Sequence, residues 1–218
     1  MTRLISPFVR ELRGRTASAL GRHGLAAAAL FLCMPCGWAI AGTAGVANGE
    51  FDVDLTGWTL AGPPFAAWSM LDYQGSPTSG SASLSNDAPQ PGVRLYPLRQ
   101  CVHLPAAGRY RIEAQGFLPV GHPAGRLVVS LASHAIADCS GGSNLGVGYF
   151  LSSNGNWQYG SIEFNIESGF NYVDLSLGIE KNAAGGSLVG NIDAVRLIYR
   201  EVIFASGFEA VDLPFSDP

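Results

Sequence analysis

Apolar residues at every second position are the feature that most constrains the fold of this chain. In residues 173–179 the apolar side chains stand at the odd positions, between Asp174 and Ser176 among others. The same alternation occurs in residues 162–166 and 127–131. Because successive side chains of a β-strand point to opposite faces, this pattern predicts strands with one apolar and one more polar face.

Other segments continue this pattern along the chain. They are rich in apolar, β-branched or aromatic residues and cover 65–71, 81–85, 93–104, 109–117 and 191–199. Clusters of Gly, Pro, Ser and Asn separate them, and no helical pattern of ten residues intervenes. About eight antiparallel strands at this spacing predict an all-β fold, an antiparallel β-sandwich of jelly-roll type. Neither an internal repeat nor a second domain is evident.

The first 41 residues have the features of a targeting segment. Five arginines precede the apolar run 25–41, and Ala39, Ile40 and Ala41 form a small-x-small cleavage pattern. We therefore predict a signal peptide over residues 1–41 and export by the general secretory route, to the periplasm, the cell surface or the medium. A retained membrane anchor is the alternative. The rest of the chain has no apolar run of the length that spans a membrane.

The charge balance argues against nucleic acid as a partner. The 218 residues carry 13 basic and 17 acidic side chains, and removal of residues 1–41 takes away five of the basic ones and one of the acidic ones. The remaining chain has a net charge of about −8, which repels phosphate backbones. We therefore expect no nucleic-acid partner. With 47% hydrophobic and 14% charged residues, the chain can build a packed core.

Cys101 and Cys139 are the two cysteines that remain after removal of the leader. An even pair in an exported protein predicts a disulfide. It would close a loop of about 39 residues and stabilise the fold by about 4 kcal/mol in the chain-entropy model. Two free thiols or two metal ligands are the alternative reading.

Two motifs near opposite ends of the domain suggest a family. The segment 48–52 (Asn-Gly-Glu-Phe-Asp), followed by 55–58 (Leu-Thr-Gly-Trp), resembles the opening of many secreted bacterial galactose-binding-like and carbohydrate-binding modules. The segment 191–197 (Asn-Ile-Asp-Ala-Val-Arg-Leu) is similar to their closing strand. The resemblance spans residues 48–199 and implies a jelly-roll domain in that range. Trp58 matches the buried tryptophan of the opening motif and is predicted to lie in the core.

The resemblance also implies a structural calcium ion. In such modules the ligands come from the acidic opening segment and from the aspartate of the last strand, which nominates Glu50, Asp52 and Asp193 here. Hard oxygen ligands of this kind suit Ca²⁺. The sequence departs from the family pattern because Ala194 stands where a second aspartate is usual. In the alternative reading these acids cap turns or face solvent.

A sugar site in this fold needs aromatic rings against which a pyranose can lie, together with a few polar groups. The aromatic candidates for such ligand binding are Trp68, Tyr73, Tyr149, Trp157 and Tyr159. Trp157 could instead plug one end of the sandwich.

Residues typical of catalysis are sparse, so we predict that the protein is not an enzyme. The sequence contains no nucleophile elbow, metalloprotease motif or phosphate loop. Carboxylates such as Asp174 and Glu180 lie on predicted strands opposite apolar neighbours, as ordinary solvent-facing residues do.

Residues 200–218 follow the last predicted strand. Residues 203–209 resemble the Ile-Phe-x-x-Gly-Phe-Glu ending of many exported proteins of gammaproteobacteria. This segment either docks on the sheet or is recognised by a surface or sorting partner, and we expect its last residues to be disordered. Two hypotheses result: a secreted, non-catalytic carbohydrate-binding module with a glycan partner, or an exported structural or cell-surface interaction protein without one.

Overall fold

The computed structural model describes residues 43–62 and 65–200, and within them the chain is all β. The predicted signal peptide and residues 201–218 lie outside this part. No described residue is helical, so this part of the chain contains no helix that could span a membrane. Eleven strands form in the described residues: β1 (Thr43–Ala44), β2 (Thr59–Leu60), β3 (Ala66–Ser69), β4 (Ser81–Asn86), β5 (Val93–His103), β6 (Gly108–Phe117), β7 (Gly125–His134), β8 (Gly146–Leu151), β9 (Trp157–Ile166), β10 (Tyr172–Lys181) and β11 (Leu188–Arg200).

The strands form two antiparallel sheets. The six-stranded sheet has the order β3, β4, β11, β6, β9, and β1 pairs with β11 at Leu197 and Ile198, beyond the stretch that faces β4. The five-stranded sheet has the order β2, β5, β10, β7, β8. Successive strands from β4 to β7 alternate between the sheets, which is the connectivity of a jelly roll. The predicted β-sandwich is therefore confirmed.

Three of the eleven strands were not predicted from the sequence. Each of the eight predicted segments overlaps one strand, β3 to β7 and β9 to β11. Strands β1 and β2 have two residues each and are too short to display a period. Strand β8 was not predicted because Gly146 and Gly148 occupy two of its outward positions, and glycines at this spacing are typical of a loop.

The core lies between the sheets and is built from the inward positions of the long strands. Leu175, Leu177 and Ile179 of β10 are fully buried, which confirms the inward face of the alternation in 173–179. Trp58 is also buried, as predicted, with its ring centroid 5.5 Å from that of Phe51.

The opening segment packs directly on the last strand. The amide of Val195 donates a hydrogen bond of 2.9 Å to the carbonyl of Gly49. A Cβ atom on Gly49 would lie 2.1 Å from the Val195 carbonyl oxygen, so only glycine fits. The side-chain amide of Asn48 donates to the carbonyls of Asp54 and Thr56 and closes the loop before Trp58. The two family-like motifs are thus neighbours in space.

The predicted disulfide between Cys101 and Cys139 is confirmed. It ties β5 to the loop between β7 and β8, and the Cα atoms of the two cysteines are 5.7 Å apart.

Candidate functional site

A groove crosses the outer face of the five-stranded sheet. Most outward residues of its floor have small side chains or none, on the adjacent strands β10, β7 and β8: Ser176, Ser130, Ala132, Gly146 and Gly148. Val128 of β7, next to Phe150, is the larger apolar residue of this floor, and the groove has a volume of about 330 Å³.

Two aromatic rings border this floor. Tyr96 of β5 lies over Gly178 of β10, where a Cβ atom would approach the tyrosine ring to 2.7 Å. Gly178 therefore allows the ring to lie close to the sheet. On the opposite side, Phe150 of the edge strand β8 lines the groove and is exposed.

A buried carboxylate organises the charged side chains at the Phe150 end. Glu180 of β10 is buried and accepts hydrogen bonds from Nη2 of Arg94 on β5 at 2.5 Å and from Nε of Arg126 on β7 at 3.1 Å. Burial raises the pKa of this carboxyl, but the hydrogen bond from Arg94 and the charges of both arginines outweigh it, so the pKa lies below its usual value. Glu180 is therefore ionised at neutral pH and holds both guanidinium groups in place.

A second ion pair lies further along the same face. Arg99 of β5 donates to the buried carboxylate of Asp174 on β10. Asp174 also lines a smaller pocket of about 240 Å³, which the disulfide partners Cys101 and Cys139 border. The disulfide thus stands at one end of the charged face.

The sequence-based reading of Asp174 and Glu180 as ordinary solvent-facing residues was wrong. Both are on the outer face of β10, but arginines from neighbouring strands cover them and leave both carboxylates buried. Alternation alone identifies the face of a strand but does not reveal what lies on top of it.

The aromatic residues predicted to bind ligand do not form one row. Trp68 of β3 is half-buried against the core, and its indole N–H donates to the carbonyl of Phe51 at 2.7 Å. Tyr149 of β8 also packs against the core, and its buried hydroxyl has no hydrogen-bond partner among the described residues. Burial is the main cause that raises the pKa of this tyrosine.

The other three candidates lie on the six-stranded sheet or beside it. The rings of Tyr73 and Trp157 meet edge to face with centroids 6.4 Å apart, and Trp157 also packs on Phe117 at 5.5 Å. Tyr159 is exposed, and its hydroxyl donates to Glu113 at 2.8 Å. The structure therefore brings Tyr73 and Trp157 together, with neither of them in the groove.

The predicted calcium ligands are held in different ways. Asp193 is buried, and its carboxylate accepts hydrogen bonds from the amides of Tyr73 and Ala194. Burial, followed by the charges of Asp72 and Glu50, raises its pKa to about 7.

The remaining predicted ligands have protein partners. Glu50 forms an ion pair with Arg196 at 2.8 Å, and Asp52 is exposed and accepts from Ser79 at 3.4 Å. Within the described part of the chain, no group of three His, Cys, Asp or Glu side chains is arranged to hold a metal ion. A buried carboxylate beside other acids is nevertheless a place where a cation would be favourable, so calcium stays a prediction.

Sequence reasoning did not identify the groove residues. Tyr96 and Arg94 occupy outward positions of β5, and Phe150 follows the glycines of β8. The sequence did contain a signal for strand β8, because an apolar or aromatic residue stands at every second position from 145 to 151: Leu145, Val147, Tyr149 and Leu151.

Comparison with known proteins finds structural likeness at low sequence identity. No protein-family model and no curated protein matches the chain. Among solved structures, the chain is similar to the enzymatically active domain of tailspike protein 4 of bacteriophage CBA120, with 16% identity and a TM-score of 0.51 over 70% of this chain and 21% of that one. It thus spans about a fifth of the tailspike chain.

Carbohydrate-binding modules are also among the similar structures. TmCBM61, solved in complex with β-1,4-galactotriose, has 20% identity and a TM-score of 0.47, over 72% of this chain and 97% of that one. A family 16 carbohydrate binding module has 19% identity and a TM-score of 0.48, over 71% and 99%. The likeness to these modules is too distant to assign a family or a function.

Proposed function

We propose that this domain is a non-catalytic carbohydrate-binding module of an exported protein, and that the groove on the five-stranded sheet holds the glycan. The observation that carries the proposal is the pair of aromatic rings, Tyr96 and Phe150, at the two sides of a groove whose floor is made mostly of small side chains.

The chemistry of the groove suits a sugar chain. A pyranose has an apolar face that packs on aromatic rings, and hydroxyl groups at its edge that need hydrogen-bond partners. Ser130 and Ser176 offer hydroxyls on the floor, and the guanidinium of Arg94 offers N–H donors beside Tyr96. The groove crosses strands β10, β7 and β8, so it has room for more than one sugar unit, which favours a polysaccharide over a single monosaccharide.

An exported structural or cell-surface interaction protein is the second candidate function. It is favoured by the scattered positions of Trp68, Tyr149, Trp157 and Tyr159, since a glycan platform built from these four would be a continuous row. Under this alternative, the groove binds no glycan, and the partner contacts another part of the surface.

The proposal is tested by screening the protein, without the predicted signal peptide, on a polysaccharide array. Calorimetry then measures the affinity for the ligands found. Phe150→Ala and Tyr96→Ala should each weaken binding about tenfold, which corresponds to about 1.4 kcal/mol. Tyr159→Ala is the matched control, because Tyr159 is exposed to a similar degree (52%, against 42% for Phe150) but lies on the other sheet.

Two outcomes would count against the proposal. If a cooperatively folded sample binds nothing on a broad array, the interaction-protein alternative gains support. If Tyr159→Ala abolishes binding and Phe150→Ala does not, the glycan site lies on the six-stranded sheet instead.

A further inference from the structure

The two arginines at the Phe150 end of the groove share a single carboxylate. Arg94 uses its Nε and Nη2 atoms on one oxygen of Glu180, at 2.8 and 2.5 Å. Arg126 uses its Nε and Nη2 atoms on the other oxygen, at 3.1 and 2.9 Å. Two positive charges are thus balanced by one negative charge.

The positive charges face solvent, whereas the negative charge does not. The side chains of Arg94 and Arg126 are 38% and 36% exposed, whereas that of Glu180 is only 7% exposed. Arg94 lines the groove, and Arg126 lies against the ring of Phe150 at its border, so a ligand at this end approaches guanidinium groups with the carboxylate beneath them. The other charged pair on this face, Arg99 with Asp174, is balanced one to one.

The guanidinium groups also contact the aromatic border of the groove. The central carbon of Arg126 lies 3.4 Å from the centroid of the Phe150 ring, and that of Arg94 lies 5.0 Å from it. Stacking on an aromatic face and bonding to Glu180 restrict both side chains to one orientation. An ordered guanidinium loses little further entropy when it binds an anion.

Hydrogen-bond donors remain for a ligand. A guanidinium has five N–H groups in a planar fork, which matches the two oxygens of a carboxylate or sulfate. Arg94 Nη1 has only the Tyr96 hydroxyl as a partner, at 3.3 Å, and the described residues offer no acceptor to Arg126 Nη1. These donors lie beside Phe150, where a sugar ring would pack.

We infer that the Phe150 end of the groove selects an acidic sugar unit, with Arg94 and Arg126 binding its carboxylate or sulfate group. This inference rests on the proposed function. It deepens that proposal because a neutral glycan needs hydrogen-bond donors but gains nothing from an excess positive charge. An acidic polysaccharide, rich in uronate or sulfated units, is therefore the ligand class for this site.

The net negative charge of the chain repels an acidic glycan mainly at low ionic strength. The net charge of about −8 after loss of the leader repels a polyanion, but charges farther away than the Debye length of about 8 Å are largely screened in 0.15 M salt. The guanidinium contacts act at hydrogen-bond distance and are screened much less. The local attraction should therefore dominate at physiological salt.

The test compares acidic polysaccharides with neutral forms of the same chains at 0.15 M salt. Polygalacturonate is paired with its carboxyl-reduced derivative, and dextran sulfate with dextran. We expect at least one acidic member to bind ten times or more tighter than its neutral partner. The pair in which this occurs distinguishes a carboxylate ligand from a sulfate ligand.

Variants then assign the preference to the arginine pair. Arg126→Gln should remove most of the tenfold preference for the acidic ligand, and Arg126→Lys should restore part of it because the charge returns without the planar fork. Arg109→Gln is the matched control, since Arg109 is a half-exposed arginine paired with Glu163 on the other sheet. Circular dichroism and thermal unfolding verify that each variant is folded.

The outcomes separate this inference from the proposed function. Neutral and acidic forms that bind equally well, in a manner sensitive to Phe150→Ala, would overturn the acidic preference and leave the glycan site intact. An equal loss in Arg109→Gln would also overturn it, because the attraction would then be non-specific. If no polysaccharide binds at all, both proposals fail together.

Discussion

Gly49 links the opening segment to the last strand and leaves no space for a side chain. The hydrogen bond from the amide of Val195 brings the two backbones into direct contact. A glycine in such a short motif is easily read as a turn residue, chosen for backbone freedom. Here its role is steric, because the space that a Cβ atom would need is occupied by the Val195 carbonyl.

We expect Gly49→Ala to destabilise the domain by about 1–3 kcal/mol, the range typical of an added methyl group in a packed site. Urea unfolding of the variant and of the unmodified protein measures the difference. Gly45→Ala is the control, because a Cβ atom on Gly45 has no neighbour within 4 Å. Equal stability of the two variants would mean that the opening segment does not pack on β11 as described.

Strand β8 marks the limit of what alternation could predict. Strands β7, β9 and β10 were predicted from alternation, because residues 127–131, 162–166 and 173–179 have a large apolar residue at every second position. The two glycines of β8 weaken that signal, although Val147, Tyr149 and Leu151 keep the period. Since Phe150 lies on β8, the missed strand also concealed one border of the candidate groove.

The groove was also missed because it depends on pairing between strands. Arg94, Arg126 and Glu180 are far apart in sequence and converge only because β10 lies between β5 and β7. Local pattern predicts the strands and their inward faces, but it does not give their order in the sheet. The fold class could thus be predicted from the sequence, whereas the site could not.

At the scale of structural elements, the disulfide connects β5 to the loop between β7 and β8. We expect reduction to lower the free energy of unfolding by about 4 kcal/mol, because the loop it closes would regain freedom in the unfolded chain. Denaturant unfolding with and without a reducing agent measures this effect. The double variant Cys101→Ser with Cys139→Ser should match the reduced protein and be insensitive to the reductant. A reductant without effect on the original protein would contradict the prediction.

At the scale of the whole molecule, the first and last segments of the described residues lie in direct contact. The opening segment lies against β11, and β1 extends the same sheet beside the later part of β11. Residues that are more than 140 positions apart are therefore direct neighbours, as the ion pair between Glu50 and Arg196 illustrates. Any ligand that binds both segments would stabilise the domain as a whole.

Calcium is the ligand predicted for that junction. Asp193 is 1% exposed, lacks a cationic partner among the described residues, and lies near enough to Asp72 and Glu50 for their charges to raise its pKa. A bound Ca²⁺ would offset this repulsion and stabilise the ionised carboxylate. We therefore expect millimolar Ca²⁺ to raise the melting temperature and a chelator to reverse the change.

The size of the effect follows from mass action. Calcium at a hundred times its dissociation constant would add about 2.7 kcal/mol, since it binds only the folded protein. For a domain of this size that corresponds to a rise in melting temperature of roughly 5–10 °C. Asp193→Asn keeps an oxygen for the amide of Tyr73 but removes the charge, so the variant should not respond to Ca²⁺. A melting temperature that is the same with Ca²⁺ and with chelator in the unmodified protein would contradict the prediction, and the two segments would then be joined by protein contacts such as the Val195–Gly49 hydrogen bond and the Glu50–Arg196 ion pair.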